Sequence, residues 1–172
     1  FRAAPRVGHL ARLERIAGFL KKYPDGAIRF RTDIPDYSAL DHVQYDWTYS
    51  VYVNSSEELP HDMPAPRCKW VRTSTFEDAN LMHDLTTGRS VTGILHLVNQ
   101  TPVEWFSKRQ TTVETATYGS EFVAARTATE QIMDLRYTLR MLGAPLDKRA
   151  YMFGDNQSVI TSSTIPHSSL NK

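Results

Sequence analysis

Three acidic side chains stand where a reaction on phosphate could be run. Asp78 follows an apolar run that reads as a strand, Glu121 lies in the first turns of the clearest helix in the chain, and Asp155 follows a second short apolar run. Each sits where the backbone changes direction, and α/β sheets gather their sites at such strand ends. Carboxylates brought together there repel one another unless something positive is bound. Mg²⁺ or Mn²⁺ is the natural counter-charge, because hard cations take oxygen ligands and keep water and substrate phosphate oxygens in their shells. Two such ions about 4 Å apart activate a water and stabilise the leaving oxygen of a phosphodiester. Each acid also has an ordinary reading, since the chain carries 19 Asp and Glu in all. Asp155 can cap the helix after it, Glu121 can favour the positive end of its own helix, and Asp78 can be a turn residue. Glu121 adjoins Phe122 at the border of the apolar face, which aims it along the sheet edge instead of straight into water.

The elements that must position these acids are read from periodicity. Lys69 to Phe76, Val91 to Val98 and Val103 to Ser107 are expected as strands, with Asn99-Gln100-Thr101-Pro102 leaving room only for a hairpin turn between the last two. Tyr118, Phe122, Ala125, Ala128, Ile132, Leu135, Leu139 and Leu142 then recur at steps of three and four, a long helix that Gly143 and Pro145 end. Ala150 to Phe153 reads as a strand, Gly154-Asp155-Asn156 as a turn and Gln157 to Ser163 as a short helix. If the first and last strands are neighbours and the long helix packs on them, the three acids converge at one edge of the sheet.

Upstream, residues 7 to 22 place Leu10, Leu13, Ile16, Ala17 and Leu20 at helical spacing among Arg12, Arg15, Lys21 and Lys22. Charge divides the chain into three parts. Residues 1–31 hold eight Lys or Arg against two acids, 32–66 hold seven acids and no Lys or Arg, and 67–172 are nearly balanced, for a net charge of +1. A basic arm attracts phosphate backbones, although a solvated helix face has the same composition. In the acidic connector Tyr45, Trp47, Tyr49, Val51 and Val53 alternate with mostly polar neighbours, which predicts one strand. A connector of that length is expected to pack against the body or to join two domains. Its aromatics could stack single-stranded bases or cover a core. Cys68, the single cysteine, excludes an internal disulfide and reads as a small packed thiol. His83-Asp84 reads as a hairpin-loop pair, because adjacent residues of an extended segment point to opposite faces. No apolar run approaches a membrane span and no secretory signal is evident, so a soluble, intracellular chain is expected. The missing initiator Met suggests a fragment.

Local words carry a resemblance. From Asp78 to Lys172 the chain resembles the ribonuclease H domain of Ty1/copia-type retrotransposon polyproteins. The pattern Asp-Ala-Asp-Trp-Ala followed by Lys-Ser-Thr-Ser-Gly is similar to Asp78-Ala79-Asn80-Leu81-Met82 and Arg89-Ser90-Val91-Thr92-Gly93, at the same interval. Trp-Ser-Ser-Lys-Lys-Gln looks like Trp105-Phe106-Ser107-Lys108-Arg109-Gln110, Ser-Ser-x-Glu-Ala-Glu-Tyr like Ala116 to Phe122, and Cys-Asp-Asn-Gln-Ser like Gly154-Asp155-Asn156-Gln157-Ser158. His9 through Phe30 resembles the helix that closes the reverse transcriptase region upstream of the nuclease. The acidic connector has no counterpart, and Asn80, Leu81 and Gly119 depart from the pattern.

The resemblance implies an α/β, ribonuclease H-like mixed sheet with flanking helices over 67–172, preceded by a basic helical arm (1–31) and an acidic connector (32–66). It implies hydrolysis of the RNA strand of RNA·DNA hybrids, with Asp78 contacting both of two Mg²⁺ ions, Glu121 sharing the ion at the leaving oxygen and Asp155 the ion at the water; Mn²⁺ could substitute. Lys108, Arg109 and Asn156 become nucleic-acid contacts, and His167 falls near a mobile basic residue used for product release. The reverse transcriptase portion of the same polyprotein becomes a partner, no membrane is involved, and a cytoplasmic retroelement particle becomes the compartment. The family continues beyond Lys172 into another strand, a closing helix and a fourth acid, so a C-terminally truncated domain with reduced or Mn²⁺-dependent turnover is expected. A non-cleaving connection module and an integrase or exonuclease core are the competing functions.

Overall fold

The computed structural model describes residues 6–40, 45–48 and 55–166. Its elements in chain order are α1 (Val7–Lys22), β1 (Val71–Asp84), β2 (Arg89–Val98), β3 (Thr101–Arg109), α2 (Thr117–Met141), β4 (Leu146–Phe153) and α3 (Gln157–Thr164). The four strands make one mixed sheet in the order β3-β2-β1-β4, antiparallel except for the parallel pair β1 and β4. The chain reaches β4 from β3 through α2, the helical crossover that a parallel neighbour requires.

All four strands outrun their expected limits, β2 by starting at Arg89 and β4 by starting at Leu146. β1 continues past Phe76 to Asp84, pairing with β2 through Asn80 before its register slips, with Met82 at φ 49°. Its inward face consists of Thr73, Thr75, Glu77 and Ala79, so no apolar alternation marks the strand there. β3 begins at Thr101 because Asn99, at φ 54°, makes the hairpin turn almost alone. Pro102 is accommodated on the edge strand, where a missing N–H need not break the sheet.

α2 covers one face of the sheet through Ala124, Ala125, Ala128 and Ile132, all buried. Small side chains at that contact let the helix lie close to β1. The layer beneath is polar but paired. His96, wholly buried, takes the Thr75 hydroxyl at Nδ1 (2.8 Å) and donates from Nε2 to Gln131 Oε1 (3.1 Å). Gly143, at φ 76°, gives α2 its left-handed exit.

The connector packs against this body. Thr101 Oγ1 accepts from Arg31 N (2.8 Å) and donates to Arg31 O, Asn99 Nδ2 donates to Thr32 O (2.9 Å), and the Tyr37 hydroxyl meets Ser74 Oγ (2.9 Å) on the sheet face opposite α2. Glu57 receives both Arg136 Nε and Nη2 at 2.9 Å and is also bonded by Arg140. The strand expected around Tyr45 to Val53 does not form at Tyr45–Thr48, which is irregular with a turn, and residues 49–54 lie outside the described residues. α1 forms where periodicity placed it but buries none of its residues. Cys68 is exposed in the approach to β1, not packed, because its loop backbone turns there through a φ of 74°. Among the described residues no helix is long and apolar enough to cross a membrane.

Candidate metal centre

Register brings two of the acids together before any helix is considered. Phe76 pairs with Phe153 across the parallel strands, and Asp78 and Asp155 each lie two residues further on. Asp78 is therefore inside β1, opposite Gly93 on its other side, and not beyond the strand's end as periodicity had suggested. Asp155 falls in the turn after β4. Glu121 comes down from the first turns of α2, with the Ala79 backbone amide exerting a lowering influence on its carboxyl. One carboxylate oxygen from each of Asp78, Glu121 and Asp155 lies within 4.8 Å of the other two; Glu121 is buried and the aspartates are exposed.

Gln110 fixes the helix at this end. Its Nε2 donates to Thr92 Oγ1 (3.0 Å) and to Ser120 O (2.8 Å), and its own N–H donates to Ser90 O (2.8 Å), so the end of β3 is tied to the residue before Glu121.

A fourth acid, missed in the sequence, stands beside the three. Glu77 precedes Asp78 and so projects from the opposite, α2-facing side of β1. Its carboxyl is pushed up to about 7, first by burial and then by the charges of Glu121, Asp155 and Asp78. Glu121 is likewise pushed up to about 7 by burial, Asp78 and Asp155, with the Ala79 amide pulling the other way. Among the described residues none of the four acids makes an ion pair with Lys, Arg or His. In the sequence Glu77 falls just past the expected end of its strand at Phe76 and carries no sign of its own. Its significance depends on Gly154, distant along the chain.

The donor set fits a hard divalent cation: three carboxylate oxygens on ordered elements, an excess of negative charge, and a buried carboxylate oxygen, Glu77 Oε2, without a hydrogen-bond partner.

Of the remaining candidates, two of the described ones have structural partners of their own. Lys108 lies opposite Thr92 and Arg109 opposite Val91, so neighbouring residues of the edge strand face opposite sides. Lys108 is exposed, whereas Arg109 pairs with Asp84 at 2.5 Å and closes the β1–β2 hairpin with the bonds from Thr86 and Thr87 to that carboxylate. Asn156 Oδ1 caps α3, accepting from Ser158 N (3.0 Å) and Val159 N (3.1 Å), so that oxygen is committed to the helix. His167 lies outside the described residues. No family model, no curated protein and no solved structure matches the chain.

Proposed function

We propose that this chain is a ribonuclease H-like domain of a Ty1/copia-type retroelement polyprotein that hydrolyses the RNA strand of RNA·DNA hybrids with divalent cations. The observation that carries the reading is the meeting of Asp78 in β1, Glu121 in α2 and Asp155 in the turn after β4, with oxygens within 4.8 Å and, among the described residues, no ion pair to a basic side chain. The four sequence words and the mixed sheet with one parallel pair support it.

In this reading Asp78, Glu121 and Asp155 hold Mg²⁺ or Mn²⁺, which supplies Lewis acidity to a water and to the leaving oxygen when bound. The chain's own part is to fix these oxygens in place. β1 and β4 set the two aspartates by register, and Gln110 fixes the start of α2 that carries Glu121. Exposed Lys108, on the outer edge strand, is suited to phosphate oxygens without reading sequence. Preference for RNA rests on contacts to 2′-hydroxyls across a wide minor groove.

The test is to incubate the chain with labelled RNA·DNA hybrid, double-stranded DNA and double-stranded RNA in Mg²⁺ or Mn²⁺, beside Asp78→Asn. Cleavage of the hybrid alone, lost in the variant, supports the proposal. Binding without cleavage makes the domain a positioning module, and cutting of DNA makes it a different nuclease.

A further inference from the structure

Glu77 is a carboxylate that the reaction above leaves without a task. Alternation along β1 puts it on the side of Thr73, Thr75 and Ala79, beneath α2, while Asp78 projects from the other face. Its Oε2 is buried and has no hydrogen-bond partner among the described residues. Its Oε1 fills space that a side chain at position 154 would need, since a Cβ built on Gly154 collides with that oxygen. The copia word has Cys where Gly154 stands, so this seat belongs to the present sequence. A buried carboxylate oxygen without a partner is costly, and the charged groups facing it, Glu121, Asp155 and Asp78, make it more so. Among the described residues nothing supplies the missing partner, which leaves room there for a donor such as water.

We propose that Glu77, seated by the absence of a side chain at Gly154, is a fourth carboxylate of the cation site, which accepts hydrogen bonds from water carried by the ion that Asp78, Glu121 and Asp155 hold. It stands outside the group of oxygens within 4.8 Å, so it acts through the ion's water instead of as a direct ligand. Hard cations such as Mg²⁺ keep several waters, and a carboxylate behind those waters both orients them and adds to the attraction for the ion. Glu77 is thus a positioning residue. The inference rests on the cation-site part of the proposed function and not on the identity of the substrate.

The experiment is Mn²⁺ binding, followed by loss of the free-ion electron paramagnetic resonance signal, on the whole chain and four variants, with circular dichroism verifying the fold. Glu77→Gln keeps shape and removes charge, and it should weaken Mn²⁺ about tenfold or more. Gly154→Ala keeps the charge but evicts it, and should weaken Mn²⁺ comparably. In a Glu77→Ala background, Gly154→Ala should cost nothing further, because there is no carboxylate left to displace. Unchanged affinity in Glu77→Gln overturns the proposal, as does a Gly154→Ala loss that persists undiminished without Glu77. A wild-type chain that binds no Mn²⁺ overturns both this inference and the metal centre. A chain that binds Mn²⁺ through Glu77 yet leaves hybrids intact upholds the inference and overturns only the nuclease.

Discussion

Without a cation, the acidic site should make the fold less stable as pH rises through the weakly acidic range. Glu77 and Glu121 have an ordinary carboxyl value of 4.5 in the unfolded chain and are pushed up to about 7 in the folded one. Between those limits the folded state holds more protons than the unfolded state, so unfolding releases them and stability falls with rising pH. The favourable, protonated condition is complete below about pH 4.5 and is lost as pH climbs through about 7. At about 1.4 kcal/mol per pH unit, the displacement of Glu121 amounts to roughly 3 kcal/mol. Glu121 is only 4% exposed, so little of that is screened, whereas half-buried Glu77 contributes a smaller share. For a chain of this size each kcal/mol moves the melting temperature by about 2–4 °C. Thermal melts in EDTA should therefore drop by roughly 6–12 °C between about pH 5 and about pH 7.5. Saturating Mg²⁺ should flatten that slope, and at about 100 times its Kd it should restore about 2.7 kcal/mol at the upper end. Asp78→Asn should also shrink the slope, by removing one of the charges that repel both glutamates. A melting temperature that is level or rises over this range in EDTA, or a slope that Mg²⁺ leaves intact, refutes the reasoning.

Other perturbations separate structural parts from the site. Glu57→Ala strands Arg136, whose side chain is 4% exposed, and should cost about 3 kcal/mol in urea unfolding at neutral pH. The Glu57 carboxyl is held down at about 2 against the opposing effect of burial, by its hydrogen bonds to Arg136 and Arg140; the stability it gives is complete above 4.5 and is lost as pH falls through about 2. Gln110→Ala removes the donor that the Ser120 carbonyl takes beside its helical one and should cost about 0.5–1.5 kcal/mol, with amide exchange accelerating selectively in the first turns of α2. Asn156→Ala removes the α3 cap and should lower stability by about 1 kcal/mol while hybrid affinity stays within error; a selective loss of affinity would restore Asn156 as a nucleic-acid contact.

Glu121 and Asp155 were legible from local signals, a helix that begins and a turn after an apolar run, whereas Asp78 was singled out by an expected strand end that the fold carries on past. What periodicity could not give was β1 beyond Phe76, since a strand whose inward residues are Thr73, Thr75, Glu77 and Ala79 has no apolar alternation to detect. Glu77 then looks like any surface acid until Gly154 is brought beside it by the parallel pairing of β1 and β4, a relation between residues far apart in sequence. Glu57 was hidden for a similar reason. Charge counting marks 32–66 as an acidic connector expected to pack against the body or join two domains, and only the folded chain shows one of those acids facing a buried guanidinium. Arg109 and Asn156, read as nucleic-acid contacts, also carry structural tasks that spacing does not announce, an ion pair to Asp84 at a hairpin and the cap of α3.

The two ends of α2 are built oppositely, and the contrast explains how an unneutralised acidic cluster is tolerated. At the N-terminal end Glu121 faces Asp78 and Asp155 without a basic partner, so repulsion favours drawing the helix away from β1. At the C-terminal end Arg136 reaches Thr73 Oγ1 (2.9 Å), Asp147 O (3.0 Å) and both oxygens of Glu57, joining the helix at once to β1, β4 and the connector. Between them Ala124, Ala125 and Ala128 leave no side-chain bulk to hold the helix off the sheet. Gln110 closes the near end through the Ser120 carbonyl. Helices are stiff, so fixing both ends denies α2 the small tilt that would relieve the carboxylates. The remaining way to lower their energy is to bind protons or cations, and above neutral pH the protons leave.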